Sequence, residues 1–302
     1  MEISATVGSE QKSDETNGMA NADTKKSPQS FLRRFSTKLR GVFQRNVSDS
    51  TKYLADSNIK NEEEAALSLI INYSTDSNLK ELGIVVIGGW AVWAYTRLRR
   101  SSDVDIVLSP EAWGYLEYKA KEQGFQTTSD TNSNMRKHQI KTITNGEHID
   151  IDSYVAYQDE LDVPPQELLS ELTTTISVCF KKKRYMVNVP TPEALMLMKL
   201  KAYNDTKRPK HMKDIFGIIF YNKQQDKQFD PKQAGRLMYR YGLRGNVEIF
   251  VDAANQIVNE VSTTEEIRDS FKAEIDEIAQ RMKDGIKEEE EAAQKATQLS
   301  RQ

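Results

Sequence analysis

Apolar and polar positions recur along this chain with two different periods. Between about residues 84 and 190, short apolar and β-branched runs separated by polar turns predict strands, and helical stretches lie between some of them. From Thr191 onward the apolar positions follow a helical period, beginning with a helix that Thr191 caps. The pattern therefore predicts an α/β (α+β) fold in which a mixed sheet with flanking helices is followed by a helical domain.

Changes in polarity along the chain predict four segments. Residues 1–60 are mostly polar and are expected to be disordered, except for a basic amphipathic helix at about 31–47. Residues 61–190 hold the predicted sheet and its helices, and residues 191–262 hold the predicted helical domain. Residues 263–302 predict a charged C-terminal helix and tail.

Composition restricts the function classes. The chain has 302 residues, 38% of them hydrophobic and 29% charged, which is enough for one or two folded domains. Its formal net charge of −3 gives no overall attraction to nucleic acid, so any such binding must come from local charge. The single cysteine, Cys179, excludes an internal disulfide and a multi-cysteine zinc site. With no apolar run long enough for a membrane span and no secretory signal, we expect a cytoplasmic protein.

One stretch combines a strand, a glycine turn, a helix and a second strand. The apolar run Ile84–Ile87 predicts the first strand, and Gly88 and Gly89 let the backbone turn sharply into a helix. The start of such a helix presents free N–H groups and a positive dipole end, which suits a phosphate. Asp103 and Asp105 are separated by one residue on the next strand and therefore share a face. Two adjacent carboxylates on a rigid strand suit Mg²⁺.

The helix after the glycines is rich in large apolar residues. Trp90, Val92, Trp93 and Tyr95 are expected to form core rather than a platform for base stacking. Basic residues follow this helix and recur at a later turn, where they are either solvated or form a local track for triphosphate or RNA. These basic residues are Arg97, Arg99, Arg100 and 181–184.

The order of these elements resembles the nucleotidyltransferase superfamily typified by DNA polymerase β. The family's mark is Gly-Gly or Gly-Ser, a spacer, and Asp-x-Asp between apolar residues, and here the spacer is 90–102. The family's third carboxylate lies on a later apolar strand, which Ile149-Asp150-Ile151-Asp152 matches. Asp150 and Asp152 share a face and either could serve. Asp150 is favoured because isoleucines flank it on both sides.

A second group of residues resembles the AbiEii and MenT type of nucleotidyltransferase, which are toxin-like proteins of prokaryotic toxin–antitoxin systems. Their signature has a lysine in a helix, an arginine and a closing Lys-Asp pair, here Lys199, Arg208, Lys213 and Asp214. The resemblance implies that Lys199 reaches the nucleotide phosphates and that Lys213 and Asp214 help to organise the site. From the residues alone, a lysine on an apolar helix face must reach either an anion or water.

The resemblance implies an enzyme that moves a nucleoside monophosphate, or several nucleotides, from an NTP to a hydroxyl acceptor. Two Mg²⁺ ions held by carboxylates would clamp the entering and leaving oxygens of an in-line displacement. The implied metal ligands are Asp103, Asp105, Asp150 and Asp152, of which the first three are catalytic; the implied nucleotide-binding residues are Gly88, Gly89, Lys199, Lys213 and Asp214. The acceptor stays open among a tRNA 3′ end, a protein hydroxyl and a small molecule, and an antitoxin-like protein is a further candidate partner.

Two other interpretations stay open on the residues. A non-catalytic protein with this fold could act as an adaptor, tethered through the basic helix at 31–47 to RNA or to an anionic membrane surface. The same helix could instead pack on the catalytic domain. The presence of all three carboxylates argues against a loss of catalysis. A metal-dependent hydrolase using His138 and His148 is disfavoured, because the two histidines do not lie at a usual ligand spacing.

Overall fold

The computed structural model describes most of the chain from residue 61 onward. The described residues are 61–98, 101, 103–122, 126–129, 138–144, 147–155, 163–222, 224, 226–262 and 264–301. The predictions of disorder for 1–60 and of a basic helix at 31–47 therefore lie outside the described residues, as do Arg99 and Arg100.

Ten helices and seven strands make up the described part of the chain. In chain order they are α1 (Asn61–Thr75), α2 (Ser77–Leu82), β1 (Ile84–Val86), α3 (Gly88–Thr96), β2 (Val104–Leu108), α4 (Pro110–Glu122), β3 (Gln126–Ser129), β4 (His138–Thr144), β5 (Glu147–Val155), α5 (Pro165–Leu169), β6 (Thr173–Phe180), β7 (Lys183–Pro190), α6 (Pro192–Thr206), α7 (Pro209–Phe220), α8 (Pro231–Arg240), α9 (Asn246–Val261) and α10 (Glu265–Leu299). Five of the helices begin at a proline, whose fixed φ and missing N–H are tolerated at a first helical position. None of the described helices combines the length and hydropathy needed to cross a bilayer.

Five strands form one mixed sheet in the order β1-β2-β5-β4-β3. β1 runs antiparallel to β2, β2 runs parallel to β5, and β4 runs antiparallel to both β5 and β3. β6 and β7 form a separate antiparallel hairpin, and Lys181 and Lys182 make its turn with positive φ angles. The sheet confirms the prediction that the strand with Asp150 lies beside other strands of one mixed sheet.

The central strands are covered on both faces. Ile84 and Val86 of β1 join a hydrophobic cluster with α1, α3, α4 and the β6–β7 hairpin. Val85 and Ile87 alternate with these two residues along the chain, and they join a second cluster with helices α5 to α10. This division follows from the two-residue period of a strand. The sheet thus lies between two sets of apolar side chains, and the predicted mixed sheet with flanking helices and a following helical region is confirmed.

One helix was not predicted. α1 ends at Thr75, and it is followed by α2, a short helix that the sequence pattern did not indicate. α2 forms because the carboxylate of Asp76 accepts hydrogen bonds from the first free N–H groups of the helix. The predicted C-terminal helix, α10, continues to Leu299, since its last turns consist largely of good helix formers.

Candidate active site

The glycine turn lies where β1 gives way to α3. Gly88 has a φ of +65°, in the left-handed region that glycine adopts without strain, and α3 begins at this residue. The N–H of Ile87 donates to the carbonyl of Asp105 at 2.9 Å, which holds the turn against β2. Ile87, the N-cap residue of α3, makes no side-chain hydrogen bond to the helix start, and the N–H groups of a first helical turn suit an anion.

The carboxylate of Asp105 fills the position of the side chain that Gly88 lacks. A Cβ on Gly88 would lie 1.9 Å from Oδ2 and 2.7 Å from Cγ of Asp105. These distances are far below a van der Waals contact, so only glycine lets the carboxylate reach the turn. Asp105 is half-buried near the start of β2. The structure therefore brings together the predicted phosphate turn and one of the predicted metal ligands.

Asp103 lies just before β2 and is exposed. Its Oδ1 accepts a hydrogen bond from the hydroxyl of Ser101. This bond restricts the rotamers of the carboxylate that precedes Asp105 by two positions. The structure thus leaves Asp103 accessible and gives it one oriented partner.

The third predicted carboxylate belongs to β5, the strand next to β2. The parallel register places Asp152 opposite Asp105, measured at their Cα atoms. Asp150 pairs on its other side with Lys141 of β4. The side chains of Asp150 and Asp152 lie outside the described part of the structure. The choice between these two residues therefore stays a prediction.

The carboxylate oxygens beside the glycine turn suit a hard divalent cation. Mg²⁺ prefers oxygen ligands, and Asp103 and Asp105 supply carboxylate oxygens beside β5. Among the side chains that the structure describes, no group of three or more His, Cys, Asp or Glu is placed to hold a metal ion. A complete site would need oxygens from β5, from water or from substrate. His138 and His148 belong to β4 and β5, and their side chains lie outside the described part.

Lys199 and Asp214, both predicted to bind nucleotide, form an ion pair. Nζ of Lys199 lies 3.0 Å from Oδ2 of Asp214, and the two side chains are 9% and 4% exposed. Lys199 belongs to α6 and Asp214 to α7, so the pair joins two helices where water is largely excluded. The anion that a lysine on an apolar helix face requires is thus supplied by the protein itself. Lys213, the neighbour of Asp214, is exposed.

Arg97, predicted to be solvated or part of a basic track, packs against the fold. It ends α3 with a φ of +58°, and Cζ of its guanidinium lies 4.2 Å from the ring centroid of Trp93. Nη2 donates to the carbonyl of Ser177 at 3.0 Å. Burial lowers the pKa of Arg97, and the nearby Cys179 opposes this effect. The i, i+4 spacing of Trp93 and Arg97 was a signal for the ring contact, whereas nothing local points to Ser177.

The aromatic residues of α3 are buried, which confirms that they form core. Trp90, Trp93 and Tyr95 are 2%, 8% and 0% exposed. The rings of Trp90 and Trp93 meet edge to face with their centroids 5.4 Å apart. Rings enclosed in this way do not offer a stacking surface to a base.

Tyr95 connects α3 to the start of α6. Its hydroxyl donates to the carbonyl of Pro190, at the end of β7, at 2.6 Å. Burial raises the pKa of Tyr95 and the carboxylate of Glu193 raises it further, so the phenol stays a donor. Glu193 is buried in the first turn of α6, where burial raises its pKa and Oε1 accepts from the N–H of Asp230 at 2.8 Å. Sequence reasoning missed both contacts because each joins residues far apart in the chain.

Comparisons with known proteins return a likeness in structure only. No family model matches the sequence, and no curated protein matches it. A solution structure of the antibiotic-resistance factor ANT(2″)-Ia is similar with 15% identity and a TM-score of 0.34 over 53% of this chain and 83% of that chain. A crystal structure of ANT(2″)-Ia in complex with adenylyl-2″-tobramycin is similar with 14% identity and a TM-score of 0.36 over 64% of this chain and 98% of that chain. Values this low carry no argument about activity, which has to rest on the residues of this chain.

Proposed function

We propose that this chain is a Mg²⁺-dependent nucleotidyltransferase that moves a nucleoside monophosphate from an NTP to a hydroxyl acceptor. The contact between Gly88 and Asp105 carries the proposal, since it joins the start of a helix to a carboxylate. A metal-bound triphosphate needs these two features side by side. The N–H groups bind phosphate oxygens, and the carboxylate holds the cation that those oxygens also bind.

The start of α3 would bind the phosphates of the NTP. Gly88 turns the chain into α3 with a positive φ, and the N–H groups of the first helical turn are suited to donate to phosphate oxygens. From Gly89 to Thr96 the helix is buried, which makes it a rigid support for this end. A phosphate would therefore meet donors that are already oriented.

Asp103 and Asp105 would hold Mg²⁺, together with Asp150 or Asp152 from β5. When bound, Mg²⁺ offsets the negative charge of the phosphates and supports an in-line displacement. Contacts within the fold position two of these carboxylates. Asp105 packs against Gly88, and Asp103 accepts a hydrogen bond from Ser101.

The proposed reaction is a displacement at the α-phosphorus. The acceptor oxygen forms a bond to this phosphorus while the bond to the α–β bridging oxygen breaks, and pyrophosphate leaves. A carboxylate of β5, for which Asp150 is the predicted residue, takes the acceptor's proton. Lys199 would bind a phosphate oxygen with one of the three N–H donors of its ammonium group while another stays on the carboxylate of Asp214.

Label transfer tests the proposal. Each α-labelled NTP is incubated with Mg²⁺ and the protein, and label is followed into total tRNA, cell protein and small metabolites. The Asp103→Asn, Asp105→Asn double variant is expected to lose at least about a hundredfold in transfer rate, because two metal ligands are gone. Asp226→Asn is the matched control, since Asp226 is an exposed aspartate outside the site.

The pool that takes up label names the acceptor class among RNA, protein and small molecule. Equal transfer by the wild type and the double variant would contradict the assignment of the carboxylates. A folded wild type that binds no NTP with Mg²⁺ and labels no pool would contradict the proposal as a whole. That result would favour the adaptor interpretation.

A further inference from the structure

Three hydrogen bonds hold the junction between β7 and α6. The hydroxyl of Tyr95 donates to the carbonyl of Pro190 at 2.6 Å. The next residue, Thr191, donates its N–H to the carbonyl of Leu172 at 2.7 Å, and its hydroxyl oxygen accepts from the N–H of Ala194 at 3.3 Å. Tyr95 is the member of this set that comes from α3. The place where α6 begins is therefore tied directly to the helix of the glycine turn.

The remaining contacts close a circuit through α3, α6 and α7. The ion pair of Lys199 and Asp214 joins α6 to α7. α7 returns to α3 at Gly217, where a Cβ would lie 3.2 Å from Cγ2 of Thr96. Because each helix of this circuit touches the other two, a shift at one contact has to be accommodated at the others.

The two ends of α3 have different tasks in this arrangement. Gly88 begins the helix and carries the proposed phosphate site, whereas Tyr95 lies near its other end. At 1.5 Å per residue these positions are roughly 10 Å apart along one rigid helix. The bond from Tyr95 to Pro190 therefore fixes how the start of α6 lies relative to the glycine turn.

We propose that Tyr95 is a positioning residue for the nucleotide site, which sets α6 and its Lys199–Asp214 pair relative to the Gly88 turn. The kinetic consequence rests on the proposed function, whereas the placement of α6 can be measured without it. Tyr95→Phe keeps the buried ring and removes the donor, which leaves the carbonyl of Pro190 without this partner.

The kinetic arm compares KM and kcat for the NTP. A residue that only places a binding surface affects the affinity for the nucleotide more than the chemical step. We expect Tyr95→Phe to raise the KM for the NTP about fivefold to tenfold while kcat stays within about twofold of wild type.

The structural arm follows hydrogen exchange of the ligand-free full-length chain. Tyr95→Phe is expected to speed exchange about tenfold in the first turns of α6, with the sheet unchanged. Tyr73→Phe is the matched control. Tyr73 is also a buried tyrosine, 5% exposed, and its hydroxyl has no hydrogen-bond partner among the described residues. This control should leave both KM and the exchange of α6 unchanged.

The outcomes separate this inference from the proposed function. Equal rises in KM for the two variants, or faster exchange throughout the chain in Tyr95→Phe, would indicate a general loss of stability and overturn the positioning role. If the wild type binds no NTP, the proposed function fails, and exchange alone decides the role of Tyr95. Unchanged exchange in α6 then overturns it, and faster exchange confined to α6 supports it.

Discussion

The carboxylate of Asp105 occupies the space that any side chain on Gly88 would need, with Oδ2 only 1.9 Å from the place of a Cβ. Gly88→Ala must therefore move either the turn or the carboxylate, and it also places an L residue at a φ of +65°. We expect nucleotidyl transfer to fall at least about a hundredfold and the free energy of unfolding to drop by about 1–3 kcal/mol. The label-transfer assay and urea denaturation measure these effects.

Gly114→Ala is the control for this substitution. Gly114 lies inside α4, and a Cβ there would meet nothing within 4 Å. Alanine at this position should raise the free energy of unfolding by about 0.5–1 kcal/mol and leave transfer unchanged. A transfer rate of Gly88→Ala equal to that of the wild type would show that transfer does not require the contact between Asp105 and the turn.

The burial of the Lys199–Asp214 pair predicts that the stability of the fold depends strongly on both residues. Asp214→Asn leaves the ammonium of Lys199, 9% exposed, without its carboxylate. We expect the free energy of unfolding to drop by about 3–5 kcal/mol, because a buried charge loses its partner. Lys199→Met should have a similar effect, and the double variant should lose less than the sum of the two single changes. Urea denaturation of the four proteins completes the cycle.

An exposed pair on the same helix provides the control. Lys201 and Asp205 lie 3.1 Å apart at i, i+4 positions of α6, with side chains 34% and 52% exposed. Asp205→Asn should change the free energy of unfolding by only about 0.3–0.5 kcal/mol. Effects of the same size at Asp214 and Asp205 would mean that Lys199 finds water once its carboxylate is removed.

Local signals made the centre of the candidate site predictable. Gly88 and Asp105 belong to a stretch whose strand, turn and helix are each encoded by adjacent residues, so their order could be read directly. The sequence also predicted that Lys199 must reach either an anion or water, and the structure supplies the anion, the carboxylate of Asp214. Its partner Asp214 was identified only as a site residue, since no pattern states which helices pack together.

Contacts between distant segments were not predictable. Tyr95 binds a carbonyl at residue 190, and Arg97 binds one at residue 177, and both acceptors are backbone atoms that every residue carries. The sequence therefore holds no sign of these bonds. The sequence predicted Gly88 as a turn residue from its neighbours alone. Its contact with Asp105 was not predictable, because it depends on how β1 and β2 pair.

The crossing of α8 and α10 depends on two glycines. A Cβ on Gly235 would lie 1.9 Å from the carbonyl oxygen of Met282, and one on Gly285 would lie 2.1 Å from that of Lys232. Backbone atoms cannot move aside as a flexible side chain does, so alanine at either position has to separate the helices. Each substitution is expected to lower the free energy of unfolding by about 1–3 kcal/mol.

The double variant tests the geometry of this crossing. Once one alanine has separated α8 from α10, the second meets less resistance, so the combined loss should be smaller than the sum. Urea denaturation of the single and double variants checks this. Gly114→Ala again controls for the helix propensity of alanine. A gain in stability from Gly235→Ala would show that the helices are not in backbone contact at this point.

Glu274 predicts that stability depends on pH. This residue of α10 is buried, and Oε2 has no hydrogen-bond partner among the described residues. Burial, with a further contribution from the charge of Glu277, raises the pKa of Glu274 from 4.5 to about 7. A raised pKa means that the folded state favours the proton. The contribution is fully present below pH 4.5 and is lost as the pH rises through about 7.

Glu274→Gln removes this dependence because glutamine keeps the shape of the protonated acid and does not ionise. Between pH 4.5 and pH 8, the stability of the wild type relative to the variant should fall by about 1–3 kcal/mol. Urea denaturation of both proteins at several pH values measures the difference. Glu277→Gln provides the control. It removes the neighbouring charge that raises the pKa of Glu274, so the transition should move slightly to lower pH and the loss of stability at pH 8 should be smaller. Parallel curves for wild type and Glu274→Gln would show that the carboxyl group of Glu274 reaches water in the folded state.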